Sequence, residues 1–103
     1  MKHSKLFIFA IMTTLAVSGC KHQAATHPTD TLTTKNGSQL TITFFKHASL
    51  AIETEGRHIY IDPISQYADY ASLPKADLIL ITHSHYDHLD SAAVAALSTP
   101  ATT

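Results

Sequence analysis

The stretch Asp77-Leu-Ile-Leu-Ile-Thr-His83-Ser-His85-Tyr-Asp87-His88 decides how this chain is read. Leu78 to Ile81 is an unbroken aliphatic run, as expected of a central strand covered on both faces. Four ligand-type side chains follow it at once. In an extended segment, residues i and i+2 project to one side. The spacing therefore lets His83 and His85 reach one ion together, with Asp87 and His88 just beyond, placed to reach a second. Imidazole and carboxylate are zinc-type donors, and a catalytic zinc keeps one coordination position open. The chain has eight histidines in 103 residues, so some clustering is expected, and a surface cluster without a metal role is the ordinary alternative. The strand directly ahead of the cluster supplies the context that a metal motif needs.

Upstream, Leu40, Ile42 and Phe44 alternate with Thr41, Thr43 and Phe45, the pattern of a half-buried strand, which Leu50 and Ile52 continue. Glu55-Gly56 is a tight turn into Arg57-His-Ile-Tyr-Ile-Asp62. There Ile59 and Ile61 face together while His58, Tyr60 and Asp62 point the other way, and Pro63 ends the strand by removing a ladder donor. His58 reads most simply as an exposed strand residue. Ile64 to Lys75 reads as an irregular loop. Downstream of the His cluster, Asp90 or Ser91 is placed to cap a short helix through Leu97, with Pro100 beyond its end.

His83-x-His85-x-Asp87-His88 after an apolar strand resembles the signature of the metallo-β-lactamase-fold hydrolases. The segments Leu40-Thr-Ile-Thr-Phe-Phe-Lys-His47-Ala-Ser49 and Ala51-Ile-Glu-Thr-Glu-Gly-Arg-His-Ile-Tyr-Ile-Asp62-Pro63 resemble the opening hairpins of one branch. That branch includes ascorbate-6-phosphate lactonase-like proteins and many metal-dependent hydrolases. The likeness runs from about Gln39 to Leu97, and Lys46 stands where the branch usually has glycine. It implies an α/β fold class, the N-terminal part of an αββα sandwich, here mostly strands plus one short helix.

The resemblance also implies roles. His83, His85, Asp87 and His88 would be metal ligands, for two zinc ions in a complete protein, with other divalent metals as alternatives. Asp87 would in addition hold or deprotonate the nucleophile. The expected chemistry is hydrolysis of a small-molecule ester, lactone, amide or phosphodiester by metal-activated water. A β-lactam is disfavoured, because the upstream likeness is to the lactonase-like branch. His47 has two readings, lining the site or shaping a turn. Asp62 resembles an aspartate that orients a ligand histidine, and otherwise reads as a strand-end residue before proline. In such hydrolases a third His, a bridging Asp and a final His come from later in the chain. After His88 this sequence offers one ionisable residue, Asp90, and no histidine. The expectation is therefore an N-terminal portion that is inactive by itself. The competing class is a non-catalytic or degenerate, membrane-anchored metal-binding lipoprotein.

The first residues tell a separate story. Lys2 and Lys5 precede the apolar run Leu6 to Val17, too short to span a bilayer comfortably and suited to a signal peptide. It ends in Val17-Ser-Gly-Cys20, which resembles a bacterial lipobox with Cys20 as the lipidated residue. Cys20 is the single cysteine, which excludes an intrachain disulfide. Residues 1–19 are thus expected to be a lipoprotein signal peptide and 20–38 the lipidated cysteine and a flexible tether, in which His22 and His27 are solvated. Residues 39–103 are expected to form the truncated hydrolase-like domain. This organisation places the protein in the bacterial cell envelope, facing the periplasm or exterior, and Lys21 leans toward the outer membrane. A formal net charge of −1 argues against a nucleic-acid partner.

Overall fold

A computed structural model describes residues 26–103. Five strands form one sheet in chain order: β1 (Thr29–Thr33), β2 (Gln39–Lys46), β3 (Ser49–Thr54), β4 (Arg57–Ile61) and β5 (Leu78–Leu80). The first four pair antiparallel through short hairpins, and β5 joins β4 in parallel. Gly56 takes φ +73° in the β3–β4 turn, a conformation glycine adopts without steric cost. A parallel neighbour requires a crossover. Residues 62–77 provide it, with a short 3-10 turn at Tyr70–Ser72.

Register sorts the side chains onto two faces. Phe44 pairs with Leu50 and Leu50 with Ile61, which pairs with Leu80. Ile42, Ile52, Ile59 and Leu78 align in the same way, so one face of the sheet is aliphatic from β2 to β5. Among the described residues nothing covers this face. Phe44 and Leu80 remain 41% and 46% exposed. The opposite face carries Phe45, Ala51, Tyr60 and Ile79 and packs on a helix, α1 (Ser91–Leu97). Ala93 and Leu97 are four residues apart on α1 and are essentially inaccessible, at the centre of a small core with Tyr60, Tyr70 and Ala76. Tyr60 donates its hydroxyl to the carbonyl of Pro74 at 2.7 Å, and burial pushes its pKa up to about 12. Asp90 caps α1 by accepting from the amides of Ala92 and Ala93. Its second oxygen accepts from Ser65, which ties the helix to the loop after β4.

Three sequence expectations need correction. The tether does not extend to Ser38: Thr29–Thr33 form β1, in five-residue register with β2. Its residues are all exposed, so ladder hydrogen bonds and β-branched threonines hold it rather than burial, which is why composition missed it. His27 is correspondingly half-buried, its ring edge-on to Phe45 at 4.8 Å. β5 is not central within the described sheet. It ends the strand order, and only Thr103 borders its outer edge, bonding to Asp77 and Ile79 in a parallel pattern. His58 is half-buried, since it shares the covered face with Tyr60.

Candidate metal centre

The site lies at one end of the sheet, where the β2–β3 turn, the end of β4 and the segment after β5 meet. Two residues there adopt left-handed backbone, His47 at φ 55° and Asp62 at φ 45°. His and Asp are among the residue types enriched in that region. Lys46 is not left-handed, which is why the glycine usual before this histidine is not needed here. The turn at His47 sends its ring toward Asp87, 3.3 Å from Nε2 to Oδ2. His47 is thus both a turn residue and part of the site.

Asp62 is fully buried and is the point around which the cluster is ordered. Its Oδ1 accepts from the Thr82 amide at 2.7 Å. Its Oδ2 accepts from the Thr82 hydroxyl at 2.6 Å and from His88 Nδ1 at 2.8 Å. The Ser49 hydroxyl donates to its carbonyl at 2.5 Å. Burial alone would push this carboxyl up, but the bonds from Thr82 and His88 overbalance it and hold it below the ordinary aspartate range. Among the described residues no buried side-chain nitrogen or oxygen lacks a partner.

Donor accounting then fixes two imidazole tautomers. An ionised carboxylate only accepts, so His88 carries its proton on Nδ1 and offers Nε2 as a lone pair. The single Thr82 proton goes to Asp62. Its oxygen, 3.0 Å from His83 Nδ1, therefore accepts from that ring, which leaves His83 Nε2 free as well. Asp62 and Thr82 together turn two rings to present their far nitrogens.

The segment from His83 to His88 is not the extended ladder that spacing suggested. β5 stops at Leu80, and His88 and Leu89 both bond back to the carbonyl of His85, forming a turn. This curls Asp87 and His88 back toward His47. One ligand atom from each of His47, Asp87 and His88 lies within 4.8 Å of the others, the one such group found among the described residues. His83 and His85 stack edge-on at 4.6 Å and His83 lies 3.9 Å from His88, but both are exposed and neither joins that three-donor group. Slight desolvation would raise the Asp87 pKa. Its own backbone amide together with His88 and His47 lowers it overall, so Asp87 is an anion at neutral pH. Two hydrogen-bonding residues, Thr82 and Ser49, were not picked out from sequence. The one visible signal was a hydroxyl-bearing residue between the apolar run and the first histidine.

The donor set suits a divalent metal: neutral imidazole nitrogens, an ionised carboxylate, and a buried carboxylate holding one ring from behind. Comparison with known proteins agrees. Residues 41–100 match the family model described as a beta-lactamase superfamily domain, and the chain belongs to that family. Its sheet and helix are part of the metallo-β-lactamase fold. Among curated relatives, a "UPF0173 metal-dependent hydrolase" of Flavobacterium johnsoniae is 51% identical over 53 residues, covering 47% of this chain and 24% of that protein. One from Aeropyrum pernix is 36% identical over 69 residues, covering 57% and 26%. The crystal structure of the "Putative metal-dependent hydrolase" of Parabacteroides distasonis superposes with a TM-score of 0.73 at 50% identity, over 74% of this chain and 34% of that one. The chain thus spans about a quarter of the length of the curated relatives it matches.

Proposed function

We propose that this chain is the N-terminal, metal-binding part of a zinc-dependent hydrolase acting on small-molecule esters, lactones or phosphodiesters. The observation that carries the reading is the orientation of the donors. Asp87 faces His47 and His88, and Asp62 holds His88 so that its free nitrogen points the same way. Imidazole with carboxylate suits zinc better than magnesium or calcium, and iron, nickel or copper would find the same donors. When bound, the metal supplies Lewis-acid polarisation and an activated water near neutral pH. The residues do the positioning. Asp62 and Thr82 keep His83 and His88 in the ligating tautomer, and Asp87 is ionised and able to orient or accept a proton from the nucleophile. His83 and His85 are exposed at the same end and complete the donor set expected of the family.

Hydrolysis calls for more donors than these. Asp90, the one ionisable residue after His88, is committed to capping α1. Residues 26–103, which include β1, joined to the remaining part of the Parabacteroides protein should therefore hydrolyse a nitrophenyl ester, a lactone or a bis(nitrophenyl) phosphodiester. That activity should be lost on chelation and restored by zinc, while the 103-residue chain alone should show none. A metal-loaded chimera inactive on all three classes would sink the hydrolase reading. Lipid attachment at Cys20, and with it an envelope location, rests on the sequence of residues that lie outside the described ones. Failure of the chain to incorporate labelled fatty acid in a bacterial host would remove it.

A further inference from the structure

We infer that Lys46 selects for anionic substrates, its ammonium receiving a phosphate or carboxylate group while the bond to be cleaved lies at the His47–Asp87–His88 group. This role rests on the hydrolase function proposed above and adds a substrate class to it. Its first support is the distribution of positive charge. The lysines and arginines among the described residues are Lys35, Lys46, Arg57 and Lys75. Lys35 is in the β1–β2 turn, Arg57 begins β4, and Lys75 precedes β5, where it donates to the Ala96 carbonyl. Those three stand at the end of the sheet remote from the metal centre. Lys46 alone among them stands at the metal end, as the last residue of β2 and the neighbour of His47.

Local geometry then aims the side chain. The β2–β3 register shifts between Phe44 and Lys46, the mark of a bulge, which re-aims residues on the bulged strand. In regular alternation Lys46 would share the bare aliphatic face with Phe44. Instead its Nζ lies 5.6 Å from the ring centroid of Tyr67, in the loop after β4. The ion pairs among the described residues all involve histidine, so none joins Lys46 to a carboxylate. A cation over a partly exposed ring is held weakly. On its flexible four-carbon stem, the ammonium is a mobile point charge suited to a phosphate or carboxylate. Tyr67 also lines a cavity of about 740 Å³, together with Phe45, Tyr70 and Leu73. That is the size of a small-molecule pocket. Lys46 thus stands between the metal centre and an aromatic cavity with room for the rest of an anionic substrate.

Proton NMR of the full 103-residue chain with zinc, titrated with phenyl phosphate and separately with benzoate, tests this. The Lys46 Hε signals should start upfield of those of the other lysines, shielded by the Tyr67 ring, and lose that shielding as a probe saturates. The tighter of the two probes names the anion. Lys46→Gln should weaken its binding at least about tenfold, the effect of one hydrogen bond between charged groups. Lys35→Gln removes the same charge at the far end, beyond the screening distance, and should stay within about twofold of wild type. The role is overturned if neither probe moves the Lys46 signals, or if Lys46→Gln binds no more weakly than Lys35→Gln. These readouts do not depend on turnover. A metal-loaded chimera inactive on every ester would remove the hydrolase reading and leave Lys46 an anion-binding residue, whereas an active chimera with an unresponsive Lys46 would remove the anion role alone.

Discussion

His88 and His85 are three residues apart in one motif and live in opposite surroundings. The His88 side chain is 13% exposed, with Nδ1 bonded to a buried carboxylate and its ring beside those of His47 and His83. His85 is exposed, and its recorded ring contact is with His83. The motif gives both residues the same chemistry, but the fold gives only one of them a fixed tautomer and direction. The difference traces to Asp62, whose left-handed backbone at the end of β4 turns its carboxylate under the loop that follows β5. The braced half of the motif is part of the folded core's polar network, and the unbraced half is not.

Removing the brace should have the largest effect. Asp62→Ala leaves the Thr82 amide, the Thr82 hydroxyl and His88 Nδ1 without their acceptor and places alanine at positive φ. A loss of about 3 kcal/mol in urea unfolding is expected, the upper end of the range for buried donors left without their acceptor. Asp62→Asn keeps one acceptor and the backbone tolerance, and should recover part of that loss. A cost below about 1 kcal/mol for Asp62→Ala, the size of one ordinary hydrogen bond, would mean that Asp62 does not organise the site. Thr82→Val comes next. It preserves shape and removes one hydroxyl, for an expected cost of about 1–2 kcal/mol, whereas Thr82→Ser should stay close to wild type. In the metal-free Thr82→Val variant the His83 tautomer, read by nitrogen NMR, should lose its Nδ1–H preference while His88 keeps it.

The pH dependence separates the same halves. Asp62 and Asp90 are both held below the ordinary aspartate range, Asp62 by Thr82 and His88 against its burial, and Asp90 first by the Ser65 amide. A carboxyl with a depressed native pKa adds stability that is fully present above its unfolded value, about 3.9, and lost as pH falls through the native one. Unfolding free energy should therefore hold level above about pH 5 and drop below about pH 4, the region of the unfolded aspartate pKa. Asp90→Asn, which keeps a capping oxygen but loses the one that accepts from the Ser65 amide, should flatten that drop in part at a neutral-pH cost of about 1–2 kcal/mol. A profile unchanged by the substitution would show that Asp90 contributes nothing to it.

Much of the fold was legible because its signals are periodic or local. The alternation at Leu40–Phe45, the Glu55-Gly56 turn and the Asp90 cap all correspond to elements of the structure. β1 was not legible, because an exposed strand held by backbone pairing has no apolar rhythm to read. The part His47 plays beside Asp87 and His88 was not legible for a related reason. Spacing assumes a continued strand, but β5 ends at Leu80 and the chain turns at His85, which pairs Asp87 with the sequence-distant His47. Thr82 escaped notice since its role depends on Asp62, and nothing in sequence order links the two.

The smallest predicted effect completes the contrast. His85 is exposed and makes no hydrogen bond through its ring among those recorded for the described residues. Its backbone carbonyl anchors the turn by accepting from His88 and Leu89, and substitution leaves that carbonyl in place. His85→Ala should therefore change unfolding free energy by no more than about 0.5 kcal/mol, the range of an ordinary surface substitution. It should also leave the His88 tautomer untouched. If it instead destabilised the chain as much as Thr82→Val, the edge-on ring of His83 would have to be supporting the brace through His85, and the division between the two halves of the motif would fail.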